Sequence, residues 1–504
     1  MNQIKAGVIL NYVIIGLNTL LGLLYTPYML RMLGQNEYGL YSLVASVIAY
    51  LTILDFGFGS AIVRYTAKYR VEDKIEEQWN LFGLFLIVYT LIGILALCTG
   101  LLLYFNVGYL FNHTMTSDEI GQAKIMILLL IFNLAITFPL SIFGSIITAY
   151  EDFVFQKIVN IIRIVLSTLT IVLLLYFGYK AIAIVVVQTI FNVSTLLLNY
   201  LFCKYKLHIK IRCQNLEWGL LKEICIYSFW IFLNSIMDRI YWSTGQFVIG
   251  SLIGTAAVAI YSAAILLQSM YMQFSSAVCG VLFPKLTKMV AKNSSNQEIS
   301  NEFIKAGRIQ CVIMALVLSG FIIFGKNFIS LWAGNDYGDS YMIALIFFVA
   351  LFVPMLQNTG IMILAARNQM KFRSTLYVII AAISLIFQIL FTKNWGPIGC
   401  AYAIGGALIL GQGIIMNFYY SIKQHIDIIR FWKEIIKMLI GPIVLTILGY
   451  IIKVNFPNLN WGELILIMTI YAVIFGFIMW NLSLNSYERN LLRAPIIKLF
   501  KSIN

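Results

Sequence analysis

Long, uninterrupted apolar stretches are the feature that most limits how this chain can fold. A membrane-spanning helix needs roughly 20 mostly apolar residues, and stretches of that kind recur along all 504 residues. There are fourteen: 7–30, 39–63, 80–105, 123–150, 158–177, 181–202, 225–250, 258–283, 309–325, 343–365, 375–391, 398–422, 438–452 and 463–482. Barrel strands alternate apolar and polar residues, so continuous stretches predict helices. We expect an all-α, polytopic membrane protein with about 14 transmembrane helices.

The composition agrees with lipid as the solvent. Hydrophobic residues make up 61% of the chain and charged residues 11%, whereas soluble domains average about 45–50% and about 25%. This excludes a cytosolic enzyme, a secreted disulfide scaffold and a disordered binder. The seven cysteines form no CxxC pair, and the three histidines (113, 208 and 425) lie in polar connecting segments. We therefore expect no metal site and no cofactor.

The lysines and arginines predict the orientation of the chain. With the N-terminus inside, the inner segments hold 27 basic residues and the outer segments hold five. Because cytoplasmic loops carry an excess of Lys and Arg, both termini are predicted to lie in the cytoplasm. Most of the net charge of +14 then faces the anionic lipids of the inner leaflet. The charge gives no support for nucleic-acid binding.

The connecting segments are too short for a catalytic domain. No outer loop exceeds about twenty residues, and the longest inner loop is 284–308. A membrane glycosyltransferase or polymerase needs a catalytic carboxylate constellation on an ordered loop, and an ATP-driven pump needs a nucleotide-binding domain. The sequence also has no Ser/His/Asp or Cys/His arrangement. We therefore expect a protein that is not an enzyme.

An internal repeat relates the two halves of the chain. A shift of 220 residues places the first span on the seventh and aligns Gly34 with Gly254; near a shift of 215, Pro139 aligns with Pro354. A repeated unit with an even number of helices keeps its orientation in the membrane, as in transporters with parallel repeats. We expect two six-helix bundles around a central cleft that opens by alternating access. The predicted divisions are 1–222 for the N-terminal bundle and inner linker, 223–437 for the C-terminal bundle, and 438–504 for two extra helices and a cytoplasmic tail.

The seventh span is unusually polar. It contains Asn234, Asp238, Arg239 and Gln246, of which Arg239 and Gln246 share a helical stripe. An arginine near the bilayer midplane costs about 2.5–3.5 kcal/mol on insertion scales, so it should face a wet cavity or a partner. The cavity interpretation makes these four residues substrate contacts. The alternative is an ion pair, between Asp238 and Arg239 or between helices, that only fixes packing.

Other polar residues in or beside spans are also candidates. Arg163 lies roughly 9 Å into the fifth span by helical rise, where it cannot easily reach bulk water. Asn18 belongs to a polar seam in the first span, which could line a cavity or hydrogen-bond a neighbouring helix. Arg64 at the end of the second span could face substrate or snorkel. Arg31, at the outer end of the first span, could contact an anion or anchor at the interface.

A cationic cleft of this kind suits a phosphate-bearing ligand. Arginine presents fixed, planar, permanently charged donors that match phosphate oxygens. Asparagine, glutamine, serine and tyrosine side chains could hold a sugar. A lipid-linked pyrophosphate is one ligand that fits this combination.

The N-terminal region resembles a known family. The stretches at 25–34, 37–42 and 54–65 read YTPYMLRMLG, EYGLYS and LDFGFGSAIVRY. They resemble the N-terminal signature of bacterial polysaccharide-export proteins, the O-antigen and capsule flippases of the multidrug/oligosaccharidyl-lipid/polysaccharide exporter superfamily. The span count and the layout of six, six and two helices extend the likeness over the whole chain.

The resemblance implies a function. It implies that the chain moves an undecaprenyl-pyrophosphate-linked oligosaccharide across the bacterial inner membrane for O-antigen or capsule synthesis, through a cationic cavity and driven by an ion gradient. Arg31, Asp55 and Arg64 match the signature by position. Asp55 and Asp238 are the candidates for a coupling-ion site, because acidic residues are scarce in the spans. The expected partners are the lipid-linked oligosaccharide, membrane lipids, and a polysaccharide polymerase with its chain-length machinery.

One alternative within the superfamily stays open. A multidrug or metabolite cation antiporter would need acidic residues in its cavity for organic cations. This sequence has arginine at that depth instead, which favours the flippase.

Overall fold

The protein is helical throughout the part of the chain that can be described. The structure, a computed structural model, describes residues 3–214, 218–454, 459–490 and 493, and these ranges contain no β-strand. The first helices are α1 (Gln3–Leu51), α2 (Phe58–Val71), α3 (Ile75–Phe111), α4 (Ser117–Ala149), α5 (Phe153–Tyr176), α6 (Ala181–Tyr205), α7 (Trp218–Trp242) and α8 (Thr244–Leu252). Then follow α9 (Thr255–Ala291), α10 (Asn296–Trp332), α11 (Ser340–Leu356), α12 (Asn358–Ala366), α13 (Lys371–Leu408), α14 (Met416–Ile422), α15 (Ile428–Val454) and α16 (Trp461–Ile478). The predicted all-α class is confirmed.

The helices account for the apolar stretches of the sequence. Within the described residues, ten helical segments are long and apolar enough to cross a membrane, or eleven if α11 and α12, bent by 41°, form one span. Two of the ten, Ala6–Val71 and Lys371–Ile422, each contain two predicted spans. The seventh predicted span corresponds to α7 and α8, separated at Ser243. The chain is a multi-pass membrane protein; fourteen spans fit these helices, and the number itself stays a prediction.

Glycines with positive φ separate consecutive helical segments at repeated intervals. Gly34 interrupts α1 with φ of 73°, and Gly254, which lies 220 residues later between α8 and α9, has φ of 130°. Gly178 follows α5 with φ of 84°, and Gly396, 218 residues later, interrupts α13 with φ of 63°. Glycine adopts these angles without the steric penalty of a side chain. The matching intervals support the parallel repeat.

The chain forms two compact units, Met1–Ser262 and Ala263–Asn504. The first unit contains α1 to α8 and the first turns of α9, so α7 and α8 pack with the helices that precede them. The division proposed from the sequence, at residues 222/223 and 437/438, stays a prediction.

The first unit is built around closely packed helices α2, α3 and α4. Phe58, Phe85 and Tyr89 belong to its buried apolar core, and the rings of Phe58 and Tyr89 meet edge to face. Gly100 allows α3 to approach α4, since a Cβ there would lie 2.4 Å from Cγ1 of Ile131. Small residues at helix interfaces permit close approach of this kind in membrane proteins.

The second unit is organised around α10, which packs against α11, α15 and α16. Glycines again permit the contacts: a Cβ on Gly307 would lie 2.3 Å from the ring of Phe431, and one on Gly449 would lie 2.6 Å from Ile323. Pro354 lies near the end of α11, directly before the bend into α12. A proline removes a backbone hydrogen bond and so favours such a bend.

Candidate functional site

A polar cavity of about 420 Å³ lies inside the first unit. Its walls come from four helices: α1, α4, α5 and α6. The lining residues are Asn18, Leu21, Asn133, Arg163, Ile164, Ser167, Thr168, Gln188, Phe191 and Asn192. Seven of these ten side chains are polar, although all four helices are apolar enough to cross a membrane. We name this cavity the polar pocket.

Arg163 provides the positive charge of the polar pocket. It is the eleventh of the 24 residues of α5, close to the middle of that helix, and its side chain is half-buried. Ser167 follows one helical turn later and therefore shares its face, and Thr168 also lines the pocket. All three residues line the polar pocket, while Val165 and Leu166 between them are exposed.

Uncharged amide and hydroxyl groups surround this arginine. Nη1 of Arg163 donates to Oδ1 of Asn192 at 3.4 Å. Nδ2 of Asn192 donates to Oδ1 of Asn133 at 2.7 Å and to Oγ1 of Thr137 at 2.9 Å. Within the described residues, no carboxylate forms an ion pair with Arg163. The guanidinium therefore keeps its full charge for a ligand.

The composition of the polar pocket defines what it can bind. Among the described residues that line it, none is acidic. One guanidinium can neutralise an anionic group such as a phosphate. The amides and hydroxyls both donate and accept hydrogen bonds, as recognition of a hydroxyl-rich sugar requires. The pocket is suited to an anion joined to a neutral polar group, and unsuited to an organic cation.

Two of the residues singled out from the sequence, Asn18 and Arg163, lie together in the polar pocket. Arg239 lies elsewhere in the first unit: it is half-buried near the end of α7, and its Nη2 donates to Oγ1 of Thr52 at 3.1 Å. Gln246 in α8 donates to Oγ of Ser262 at 3.1 Å. Arg239 and Gln246 are therefore not among the residues that line this pocket.

The remaining predicted contacts are dispersed. Asn234 is half-buried and Asp238 is exposed on α7. Arg31 is exposed on α1, and Arg64 is exposed on α2 with its guanidinium carbon 5.9 Å from the ring centroid of Tyr65. Their roles as substrate contacts stay predictions.

Asp55, one of the two predicted coupling-ion residues, is held in place by its backbone turn and by a hydrogen bond from α3. It ends the short 3-10 turn Thr52–Asp55 between α1 and α2, and it is half-buried. The hydroxyl of Tyr89 in α3 donates to its Oδ1 at 2.8 Å. The two following residues, Phe56 and Gly57, have positive φ, which turns the chain sharply and holds the carboxyl group against α3.

Most of the polar pocket was not predicted from the sequence. The unpredicted polar residues are Asn133, Ser167, Thr168, Gln188 and Asn192. A signal was present: α4, α5 and α6 each carry two polar residues four positions apart, at 133 and 137, 163 and 167, and 188 and 192. Such pairs lie on one face of a helix, and three consecutive spans with the same pairing indicate a shared polar interior.

Comparison with known proteins places these features in a family. The family model described as "Polysaccharide biosynthesis protein" matches residues 4–290. The uncharacterized membrane protein EpsK of Bacillus subtilis (strain 168) is 19% identical over 506 residues, which cover 97% of each chain. A putative O-antigen transporter of Shigella flexneri is 19% identical over 412 residues, covering 80% of this chain and 94% of that protein.

A solved structure has the same fold. The lipid II flippase MurJ, in an inward closed conformation, superposes with a TM-score of 0.71 at 15% identity, and the match covers 94% of this chain and 99% of that one. This similarity extends the fold over nearly the whole chain. The family model covers more than half of the residues and includes the entire polar pocket. The chain belongs to the polysaccharide biosynthesis protein family.

Proposed function

We propose that this protein is a flippase that moves an undecaprenyl-pyrophosphate-linked oligosaccharide repeat unit across the bacterial inner membrane. The product would serve O-antigen or capsule synthesis, and the movement would occur by alternating access. Membership of the polysaccharide biosynthesis family supports the proposal. So does similarity to proteins named as an O-antigen transporter and a lipid II flippase.

The observation that carries the proposal is the position of Arg163 in the polar pocket. A cation in the middle of a membrane-spanning helix is costly unless it has a partner or water. Here it faces neutral hydrogen-bonding groups in a cavity of about 420 Å³. A pyrophosphate-linked sugar offers the matching groups, since its phosphate oxygens bind guanidinium and its hydroxyls bind amides.

The same observation separates the flippase from its alternatives. A cation antiporter requires a carboxylate where its substrate binds, and the charged group that lines the polar pocket is an arginine. A glycosyltransferase or polymerase acts through catalytic groups rather than by carrying its ligand through a pocket inside a helical bundle. We therefore propose transport rather than catalysis.

Further residues and partners belong to the proposal. Arg31, Arg64, Asn234, Asp238, Arg239 and Gln246 would contact the substrate elsewhere on its path, and Asp55 and Asp238 would bind the coupling ion. Both termini would lie in the cytoplasm. A polysaccharide polymerase with its chain-length machinery would receive the flipped unit on the outer side.

Substitution of Arg163 tests the proposal. A bacterial strain without the chromosomal gene would carry a plasmid copy, and surface polysaccharide and lipid-linked intermediates would be quantified. Charge-assisted hydrogen bonds are worth about 1.5–3 kcal/mol, so we expect Arg163→Gln to reduce export roughly tenfold or more. Complete repeat units should accumulate on the cytoplasmic side. Arg163→Lys keeps the charge but loses the planar donor geometry, so it should retain part of the export.

Lys124→Gln is the matched control. Lys124 also lies within a predicted span, in α4, with its ammonium 5.7 Å from the ring centroid of Tyr104, and it is not among the residues that line the polar pocket. The Lys124→Gln variant should leave export unchanged. Normal surface polysaccharide in Arg163→Gln cells that contain the protein at wild-type level would contradict the proposal. Unchanged polysaccharide together with sensitivity to cationic drugs would favour the antiporter.

A further inference from the structure

Asn192, which lines the polar pocket, connects three helices through its side-chain hydrogen bonds. Its side chain in α6 donates two hydrogen bonds to α4, to Asn133 and Thr137, and accepts one from Arg163 in α5. These contacts use both N–H groups of the amide and one lone pair of its oxygen. The side chain is thereby held in one orientation.

The neighbours in α4 determine that orientation. The hydroxyl of Thr137 donates to the backbone oxygen of Asn133 at 2.7 Å, so the lone pairs of that hydroxyl remain to accept from Asn192. Oδ1 of Asn133 is likewise an acceptor. Two acceptors on one side of the Asn192 amide direct its NH2 group toward α4. Its oxygen must then point toward Arg163.

We infer that Asn192 is a positioning residue for Arg163. Its uncharged side-chain oxygen accepts from Arg163 and directs the guanidinium into the polar pocket. The positive charge is thereby preserved for the phosphate of the lipid carrier. This inference rests on the proposed function. Within the described residues, Asn192 is the one hydrogen-bond partner of the Arg163 guanidinium. Of its five N–H donors, four remain for a ligand.

The partner of Arg163, the Asn192 amide, is uncharged, and this leaves the charge of the guanidinium uncompensated. A carboxylate at position 192 would have nearly the same shape as the amide. It would also pair with Arg163 in a medium of low dielectric constant, where such a pair is strong. The guanidinium would then be neutralised within the protein, and an anionic ligand would meet a site with no net charge.

Asn192→Asp therefore tests the inference with little change in shape. Asn133 can turn its own NH2 group toward the new carboxylate, and Thr137 can donate its hydroxyl, so we expect the variant to fold. Purified full-length protein in detergent would be titrated with farnesyl pyrophosphate, with farnesol as the uncharged comparison. We expect Asn192→Asp to weaken pyrophosphate binding at least tenfold and to leave farnesol binding unchanged.

A double-mutant cycle distinguishes positioning from a general structural role. Thr137→Val removes one acceptor that orients the Asn192 amide and adds no charge, so Thr137→Val combined with Arg163→Gln should bind no more weakly than Arg163→Gln alone. Asn106→Asp, the same type of substitution as Asn192→Asp at an exposed site in α3, should bind farnesyl pyrophosphate as the wild type does.

The outcomes separate the inference from the proposed function. Wild-type binding by Asn192→Asp, together with loss of binding by Arg163→Gln, would overturn the inference alone. Wild-type binding by Arg163→Gln would overturn the proposed function with it. If Asn192→Asp does not fold, Thr137→Val replaces it. This variant removes one acceptor that orients the amide, and it should weaken binding two- to fivefold only when Arg163 is present.

Discussion

Three charged groups in the predicted spans of the first unit have uncharged hydrogen-bond partners. Arg163 donates to Asn192, Arg239 donates to Thr52, and Asp55 accepts from Tyr89. A hydrogen bond to a neutral group reduces the cost of removing a charge from water. Unlike an ion pair, it leaves the charge available to a second binding partner. This arrangement is consistent with the proposed binding of a ligand by Arg163 and of an ion by Asp55.

Asp55 provides the residue-scale prediction. If its carboxyl group binds the coupling ion, Asp55→Asn should remove the dependence of transport on an imposed proton or sodium gradient. Binding of farnesyl pyrophosphate should stay at the wild-type level, because Asp55 does not line the polar pocket. Proteoliposomes with and without an imposed gradient provide the measurement.

Tyr89→Phe refines this experiment. The variant keeps the aromatic ring in the core and removes only the hydroxyl that donates to Asp55. We expect an intermediate dependence on the gradient. Transport by Asp55→Asn that responds to the gradient as the wild type does would exclude Asp55 from ion coupling.

At the scale of helices, the first unit depends on close backbone approach. The second part of α1 lies against the start of α9: a Cβ on Gly39 would be 1.8 Å from the backbone oxygen of Thr255. Glu119, in the first turn of α4, accepts from the hydroxyl of Thr255 at 2.8 Å. Three helices therefore meet at Thr255, and the contact requires glycine at position 39.

Gly39→Ala should disturb this junction. The added methyl group overlaps backbone rather than a movable side chain, so we expect destabilisation of about 1–3 kcal/mol, measured as unfolding of the purified protein in detergent. Gly16→Ala in the same helix is the control. A Cβ there meets nothing within 4 Å, and alanine favours a helix by roughly 0.5–1 kcal/mol over glycine. Equal stability of the two variants would argue against a tight junction at Thr255.

The helices were largely predictable from the sequence, whereas the breaks between consecutive helices were predictable only in part. Apolar stretches locate helices because burial of a free backbone in lipid is prohibitive. They do not reveal that α1 continues past Gly34 into a second span, or that α7 ends before Ser243. Those details depend on backbone angles at single residues, which neighbouring helices stabilise.

At the scale of the whole molecule, the second unit is held by a buried ionic cluster. Arg308 in α10 has a side chain only 7% exposed. It binds Glu488 through Nε and Nη2, at 2.6 and 2.9 Å, and Glu434 through Nη1 at 2.7 Å. It also donates to the backbone oxygen of Ser483. The cluster fastens the segment after α16 to α10 and α15.

Removal of Arg308 should weaken the second unit strongly. Arg308→Met leaves two carboxylates without their cation, and loss of one partner of a buried pair costs about 3–5 kcal/mol. Unfolding in detergent, followed by helical circular dichroism, measures the change.

Lys305→Met, one turn earlier in α10, is the comparison. Lys305 is 42% exposed in its pair with Glu302, so its loss should cost less than about 1 kcal/mol. If Arg308→Met were as stable as Lys305→Met, the cluster would not be what fastens the segment after α16.

The sequence by itself determined that this chain is helical and spans a membrane, and it carried the signature of the family. These properties follow from residue type and order. In lipid, few backbone conformations satisfy the hydrogen bonds of the chain, and apolar side chains are favourable along the whole length of a span. The sequence also indicated Asn18 and Arg163 as polar residues within spans that could line a cavity. Only the tertiary structure decided that these two share a cavity, that Asn133 and Asn192 complete it, and that Arg239 lies elsewhere. A pocket is formed by side chains distant in sequence, and their meeting depends on how helices rotate and pack against each other.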